Sequence, residues 1–141
     1  MDTNQTVILS FSESGPKGWG LGLETLGLML SGALEVLAQA RAPKAWTAFA
    51  GVFLEYLAQE NPALLSRIIE LADAGRIELL ASPFYVASAR LAVEEDWCDL
   101  FRLSEAFWLP YNIKSRQTAW IWPQCVSRSI VDAARSLGLQ E

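Results

Sequence analysis

Asn61-Pro62-Ala63-Leu64-Leu65-Ser66-Arg67-Ile68-Ile69-Glu70-Leu71-Ala72-Asp73-Ala74-Gly75-Arg76-Ile77-Glu78-Leu79-Leu80-Ala81 holds a helix start, a helix stop and a strand in one uninterrupted run. Asn61 offers a side-chain oxygen to free amides, and Pro62 suits the first helical position, where its missing N–H costs no hydrogen bond. Leu65, Ile68, Ile69 and Ala72 recur at helical spacing until Gly75 ends the pattern. Arg76 to Ala81 follows at once as a short apolar run of strand type. A helix feeding directly into a buried strand is the repeating element of parallel α/β folds.

The same alternation extends in both directions. Upstream, Ala45-Trp46-Thr47-Ala48-Phe49 is strand-like, and Gly51 leads into the helical set Phe53, Leu54, Leu57 and Ala58, which stops at Glu60-Asn61-Pro62. Before it, Thr6-Val7-Ile8-Leu9-Ser10-Phe11 reads as a buried strand running into the breaker segment Ser14-Gly15-Pro16-Lys17-Gly18. Leu26, Met29, Leu30, Ala33, Leu34 and Leu37 predict a helix from Glu24 to Ala40, with Pro43 preventing its continuation. Downstream, Ser82 to Val93 is a loop, and Glu94-Glu95-Asp96 places three acids at a helix start that continues past Phe101, Leu103 and Phe107 to Pro110. Gln117 to Trp122 is a fourth strand-like run, and Ile130, Val131, Ala134 and Leu137 before Gly138 give a last amphipathic helix. The expected class is α/β, with parallel βαβ units in a single domain over residues 1–141. Periodicity fits equally a small open sheet and the first half of a (β/α) barrel.

Composition narrows the chemistry. The chain has 141 residues and no histidine, which removes Ser-His-Asp and Cys-His nucleophiles and His-liganded metal centres. Eleven Lys and Arg against sixteen Asp and Glu give a formal charge of −5, the wrong sign for a phosphate backbone, so no nucleic-acid partner is expected. With 52% hydrophobic and 19% charged residues the chain can fill a core. Leu21 to Leu37 is broken by Glu24, Ser31, Glu35 and three glycines and is too short for a membrane span. Cys98 and Cys125, behind a start without a secretory pattern, read as free thiols and small buried hydrophobes, and a cytoplasmic location is expected. The glycines at 15, 18, 20 and 22 match no phosphate-loop pattern, so no nucleotide, cofactor or metal is expected.

Local words add a resemblance. Leu57 to Ile68, then Ala74-Gly75-Arg76-Ile77-Glu78-Leu79-Leu80, then Pro83-Phe84-Tyr85 look like the N-terminal half of glycoside hydrolase family 57. That family has a helix there, a Gly-Arg/Gln-x-Glu-Leu/Ile-Leu strand and a Gly-Phe-Tyr-Glu-Pro loop. The likeness resumes at Glu95-Asp96, at Thr118-Ala119-Trp120-Ile121, where the family reads Gly-x-Trp-Leu, and at Ala134-Arg135-Ser136-Leu137-Gly138-Leu139. Family 38 α-mannosidases and polysaccharide deacetylases form the wider group. The resemblance implies about half of an irregular (β/α)7 barrel, of the α-amylase and 4-α-glucanotransferase type. Such enzymes act on α-glucans through two carboxylates about 5–5.5 Å apart.

Carried over position by position, the catalytic machinery is missing. The family's His-x-His-x-Pro falls on Ser12-Glu13-Ser14-Gly15-Pro16, so that Ser12 and Ser14 replace both imidazoles and only Pro16 is retained. The loop Glu falls on Val86, and the nucleophilic Glu falls on Pro123, or on Trp122 with a shift of one. The acid/base Asp belongs to a later strand. The implied reading is a polysaccharide-related pseudoenzyme without catalytic residues, or a fragment of a glycosidase completed by another chain.

Aromatic residues remain as binding candidates. Trp19, Phe84, Tyr85, Trp120 and Trp122 are placed by the alternation at the carboxyl ends of parallel strands, where such folds bind ligands and where a sugar ring could stack. Each also has an ordinary reading as a core residue in an apolar chain, with Trp19 the best exception, because it sits in a Gly-Pro-Lys-Gly-Trp-Gly loop with no periodic partner. Glu94, Glu95 and Asp96 could face the same mouth but equally serve the helix dipole, and Glu13 reads as a solvated loop acid. The expected partner is an α-glucan or oligosaccharide. The reading from a different class is an interaction module whose open sheet edge pairs with a second copy or a partner chain.

Overall fold

A computed structural model describes residues 6–11, 22–85, 91–122 and 125–140. Ser12, Glu13, Ser14, Pro16, Trp19, Val86 and Pro123 all lie outside the described residues. The architecture is α/β: four parallel strands alternate with helices, in the order β1-β2-β3-β4 for Thr6–Phe11 (β1), Lys44–Phe49 (β2), Ile77–Ala81 (β3) and Arg116–Ala119 (β4). The helices are Leu23–Leu37 (α1), Gly51–Glu60 (α2), Pro62–Asp73 (α3), Glu94–Trp108 (α4) and Arg128–Ser136 (α5). The chain divides into two compact units, Met1–Glu78 and Leu79–Glu141, with the boundary inside β3. No helix among the described residues is long and apolar enough to cross a membrane.

In the first unit β1 and β2 pair in register from Thr6 opposite Lys44 to Phe11 opposite Phe49. Phe11 and Phe49 stack with ring centroids 5.5 Å apart, and Phe53 of α2 completes the aromatic cluster at 6.2 Å from Phe11. Helix α1 buries Leu26, Leu30, Leu34 and Leu37, an i, i+4, i+8, i+11 stripe that faces the core while Leu28, Met29 and Val36 stay exposed. Asn61 caps α3 as its sequence suggests, its Oδ1 accepting the Leu64 amide at 3.3 Å, with Pro62 in the first turn. Gly75 adopts φ 69°, a left-handed conformation that glycine reaches without the Cβ clash other residues meet. Directly after it, Arg76 donates from Nε to the Leu37 carbonyl at 3.0 Å and from Nη2 to the carbonyls of Gln39 and Ala42. One guanidinium therefore holds the turn between α1 and β2. Helix α1 ends at Leu37, short of the expected Ala40: the Gln39 amide donates three residues back, to the Val36 carbonyl at 3.1 Å, instead of four.

In the second unit Leu80 pairs with Arg116 and Ala81 with Ala119, with a register irregularity between them. Strand β4 is shorter than the Gln117–Trp122 run suggests: Trp120 donates its amide to the Ala81 carbonyl at 2.7 Å, and Ile121 and Trp122 leave the strand. Gln140 forms an isolated parallel bridge with Thr118, its amide donating to Gln117 O at 2.8 Å and its carbonyl accepting from Ala119 at 2.7 Å. The outer side of β4, expected to be bare, is thus occupied at that position. Helix α5 places Ile130, Ala133 and Ala134, none of them solvent-accessible, toward the core, and packs on α4. Trp97 of α4 is fully buried and donates from Nε1 to Ser129 Oγ at 3.0 Å, and that hydroxyl donates in turn to the Ala92 carbonyl at 3.2 Å. Cys98 and Cys125 are free and buried.

Candidate functional site

The carboxyl ends of β3 and β4 lie side by side in the second unit, because the strands are parallel and the Trp120 amide meets the Ala81 carbonyl. Two segments leave from there, Ser82-Pro83-Phe84-Tyr85 and Trp120-Ile121-Trp122, carrying four of the five aromatic residues expected at this end from the alternation. The fifth, Trp19, is among the residues not described.

The four divide into two pairs with different surroundings. Phe84 is buried, packs edge-on against Tyr85 at 4.9 Å and meets Phe107 of α4 at 5.7 Å, while its amide donates to the Leu100 carbonyl at 3.0 Å. Phe84 is accordingly a packing residue that fixes the loop to α4, and Tyr85 keeps an exposed ring beside it. Trp120 and Trp122 meet edge to face, with centroids 6.2 Å apart and planes at 80°. Trp122 is 1% exposed, and Trp120 is half-buried with its Nε1 shielded from solvent.

Among the described residues neither of these two indole N–H groups has an acceptor. Buried indole donors ordinarily find one, as Trp97 does with Ser129, and a buried donor left unmatched costs about 1–3 kcal/mol. Both donors belong to the segment that leaves the end of β4, and an acceptor oxygen reaching either would recover that cost. No Asp or Glu lies in either segment, so they supply hydrogen-bond donors and aromatic surface but neither a nucleophile nor a general acid.

The acids that sequence placed near this mouth have a local role. Glu94, Glu95 and Asp96 are exposed in the first turn of α4, and Asp96 Oδ2 accepts the Val93 amide at 2.9 Å, closing the helix start. Among the described residues no group of three His, Cys, Asp or Glu is arranged to hold a metal ion. Sequence reasoning missed the unmatched state of the two indoles, since periodicity reports burial and not hydrogen-bond partners. The only trace in the sequence is the Trp-x-Trp spacing at the end of an apolar run.

No protein-family model matches this sequence, and no curated protein matches it. Among solved structures the chain is similar to the crystal structure of 4-α-glucanotransferase from Thermococcus litoralis, with a TM-score of 0.64 at 17% sequence identity. The match covers 92% of this chain and 21% of that one, so the chain spans about a fifth of the enzyme's length. At that identity the likeness is one of fold: the chain has an α/β arrangement consistent with part of a (β/α) barrel.

Proposed function

We propose that this chain is a saccharide-binding, non-catalytic relative of the α-glucan-acting barrels, taking a gluco-oligosaccharide at the carboxyl end of β4. The single observation that carries this reading is the pair of buried indole N–H groups of Trp120 and Trp122, which have no acceptor among the described residues. Sugar hydroxyls and ring oxygens are neutral acceptors, and the apolar C–H face of a pyranose suits aromatic surface such as Tyr85. The likeness in fold to a 4-α-glucanotransferase and the family 57 words in the sequence support the choice of glucan. The lack of activity rests on residue types: Ser12, Ser14, Val86 and Pro123 stand where the family pattern needs imidazole or carboxylate. Residues 1–141 then form one partial-barrel domain, working in the cytoplasm. Incubation of the purified chain with amylose and maltoheptaose is expected to release no reducing ends above buffer. Release that scales with protein concentration and survives repurification would overturn the non-catalytic reading.

A second reading, an interaction module, is favoured by a separate observation in the first unit. Among the described residues β1 pairs only with β2, and its six residues carry no charge, proline or bulge while Val7 and Ile8 are 38% and 49% exposed. Such an edge is suited to pairing with a second copy. Light scattering across a concentration series separates the readings, since a monomer at every concentration would remove this one.

A further inference from the structure

The first unit carries a groove of about 690 Å³ between α1, α2 and α3, away from any strand end. Gly27 of α1 is part of its wall. A Cβ placed there would sit 3.8 Å from Leu64 Cδ2 and 3.9 Å from Tyr56 Cε1, ordinary contact distances, so packing does not require glycine at this position. Glycine inside a helix costs about 1 kcal/mol relative to alanine. An alanine methyl would fit there in ordinary contact with Tyr56 and Leu64, and glycine leaves that edge of the Tyr56 ring uncovered by α1 at this position.

Tyr56 is half-buried and lies nearly parallel to Phe53, at 6.4 Å between centroids and 13° between planes, which fixes its ring beside the groove. Planar polar groups surround it. Glu24 and Glu60 contribute carboxylates engaged in no ion pair or hydrogen bond among the described residues. Asn61 uses its side-chain oxygen to cap α3, which leaves its amide nitrogen as a donor. Arg67 donates from Nη1 to Glu70 at 2.8 Å and keeps its other N–H groups. Acceptors from α1 and α2 thus stand with donors from α3 beside one fixed aromatic ring.

That mixture selects a ligand class. An anion would face two carboxylates, and a metal ion has no group of three ligating side chains here. A neutral polyol offers donors and acceptors on the same carbon framework, and carboxylate, amide and guanidinium groups are the planar forks that bridge neighbouring hydroxyls. We propose that the groove between α1, α2 and α3 is a second saccharide site, distinct from the one at the end of β4, which holds a gluco-oligosaccharide against Tyr56. The choice of glucan, though not the geometry of the groove, rests on the reading given under Proposed function.

Isothermal titration of the full chain with maltoheptaose tests this, using Tyr56→Ala and the exposed Arg67→Gln to disable the groove and Trp120→Phe to disable the strand end. The expected stoichiometry is two per chain. Each groove variant should weaken one of the two sites at least tenfold and leave the other unchanged, while Trp120→Phe does the reverse. Arg67→Gln removes only an exposed side chain, so it reports even if Tyr56→Ala fails to fold. A stoichiometry of one that Trp120→Phe abolishes and Arg67→Gln leaves intact would overturn the groove while sparing the strand-end site. A stoichiometry of one that only the groove variants abolish would support the groove and overturn the other site. No heat in the wild-type chain would overturn both.

Discussion

Arg76 ties the turn between α1 and β2 to the start of β3. Its guanidinium reaches the carbonyls of Leu37, Gln39 and Ala42 and supplies donors to a helix end that has no basic residue of its own in the last turn. Replacing Arg76 with alanine strands these acceptors, and a loss of about 1–3 kcal/mol in chemical denaturation is expected, with lysine recovering only part of it. An unchanged midpoint would show that water replaces the guanidinium at no cost. The Gly75-Arg76 pair was legible in the sequence as a helix stop followed by a strand, and the structure adds the reason for both residues. The glycine supplies φ 69° and the arginine ties a turn more than thirty residues away in sequence. A contact of that range leaves no trace in local periodicity.

At the level of elements, boundaries are legible where a local contact sets them. The Asn61-Pro62 signal places the start of α3 because the cap is a local bond between Asn61 Oδ1 and the Leu64 amide. Asn61→Ala is expected to cost about 1 kcal/mol, measured as a shift in the denaturation midpoint, since the helix loses the bond but keeps its packing. Strand β4 was misjudged because apolar content reports burial rather than extended pairing. Trp122 is as buried as any core residue yet lies beyond the strand, after the register irregularity that sets Ala81 opposite Ala119. The α4–α5 pair depends instead on side-chain size. Ala133 and Ala134 are fully buried where α5 meets the core, so Ala133→Leu should destabilise by about 1–3 kcal/mol through overpacking, read from thermal melts. The same change at exposed Ala106 of α4 should be close to neutral.

For the molecule as a whole, fold and function were legible to different degrees. Alternating strand and helix signals suffice for a parallel α/β arrangement, and the likeness to a glucanotransferase agrees with it. Trp120 and Trp122 stand out in the sequence as a Trp-x-Trp pair, but that their indole N–H groups lack acceptors among the described residues is not readable there, because hydrogen-bond partners are set by tertiary packing. The most direct measurement is the melting temperature of the purified chain with and without saturating maltoheptaose, for the wild type and for Trp120→Phe. Phenylalanine keeps aromatic surface and removes one unmatched N–H, so the unliganded melt should move little. Ligand that binds only the native state must raise the melting temperature. The account expects a rise in the wild type that shrinks markedly in Trp120→Phe. A wild-type melt that maltoheptaose does not move, or a rise of equal size in both proteins, would contradict it.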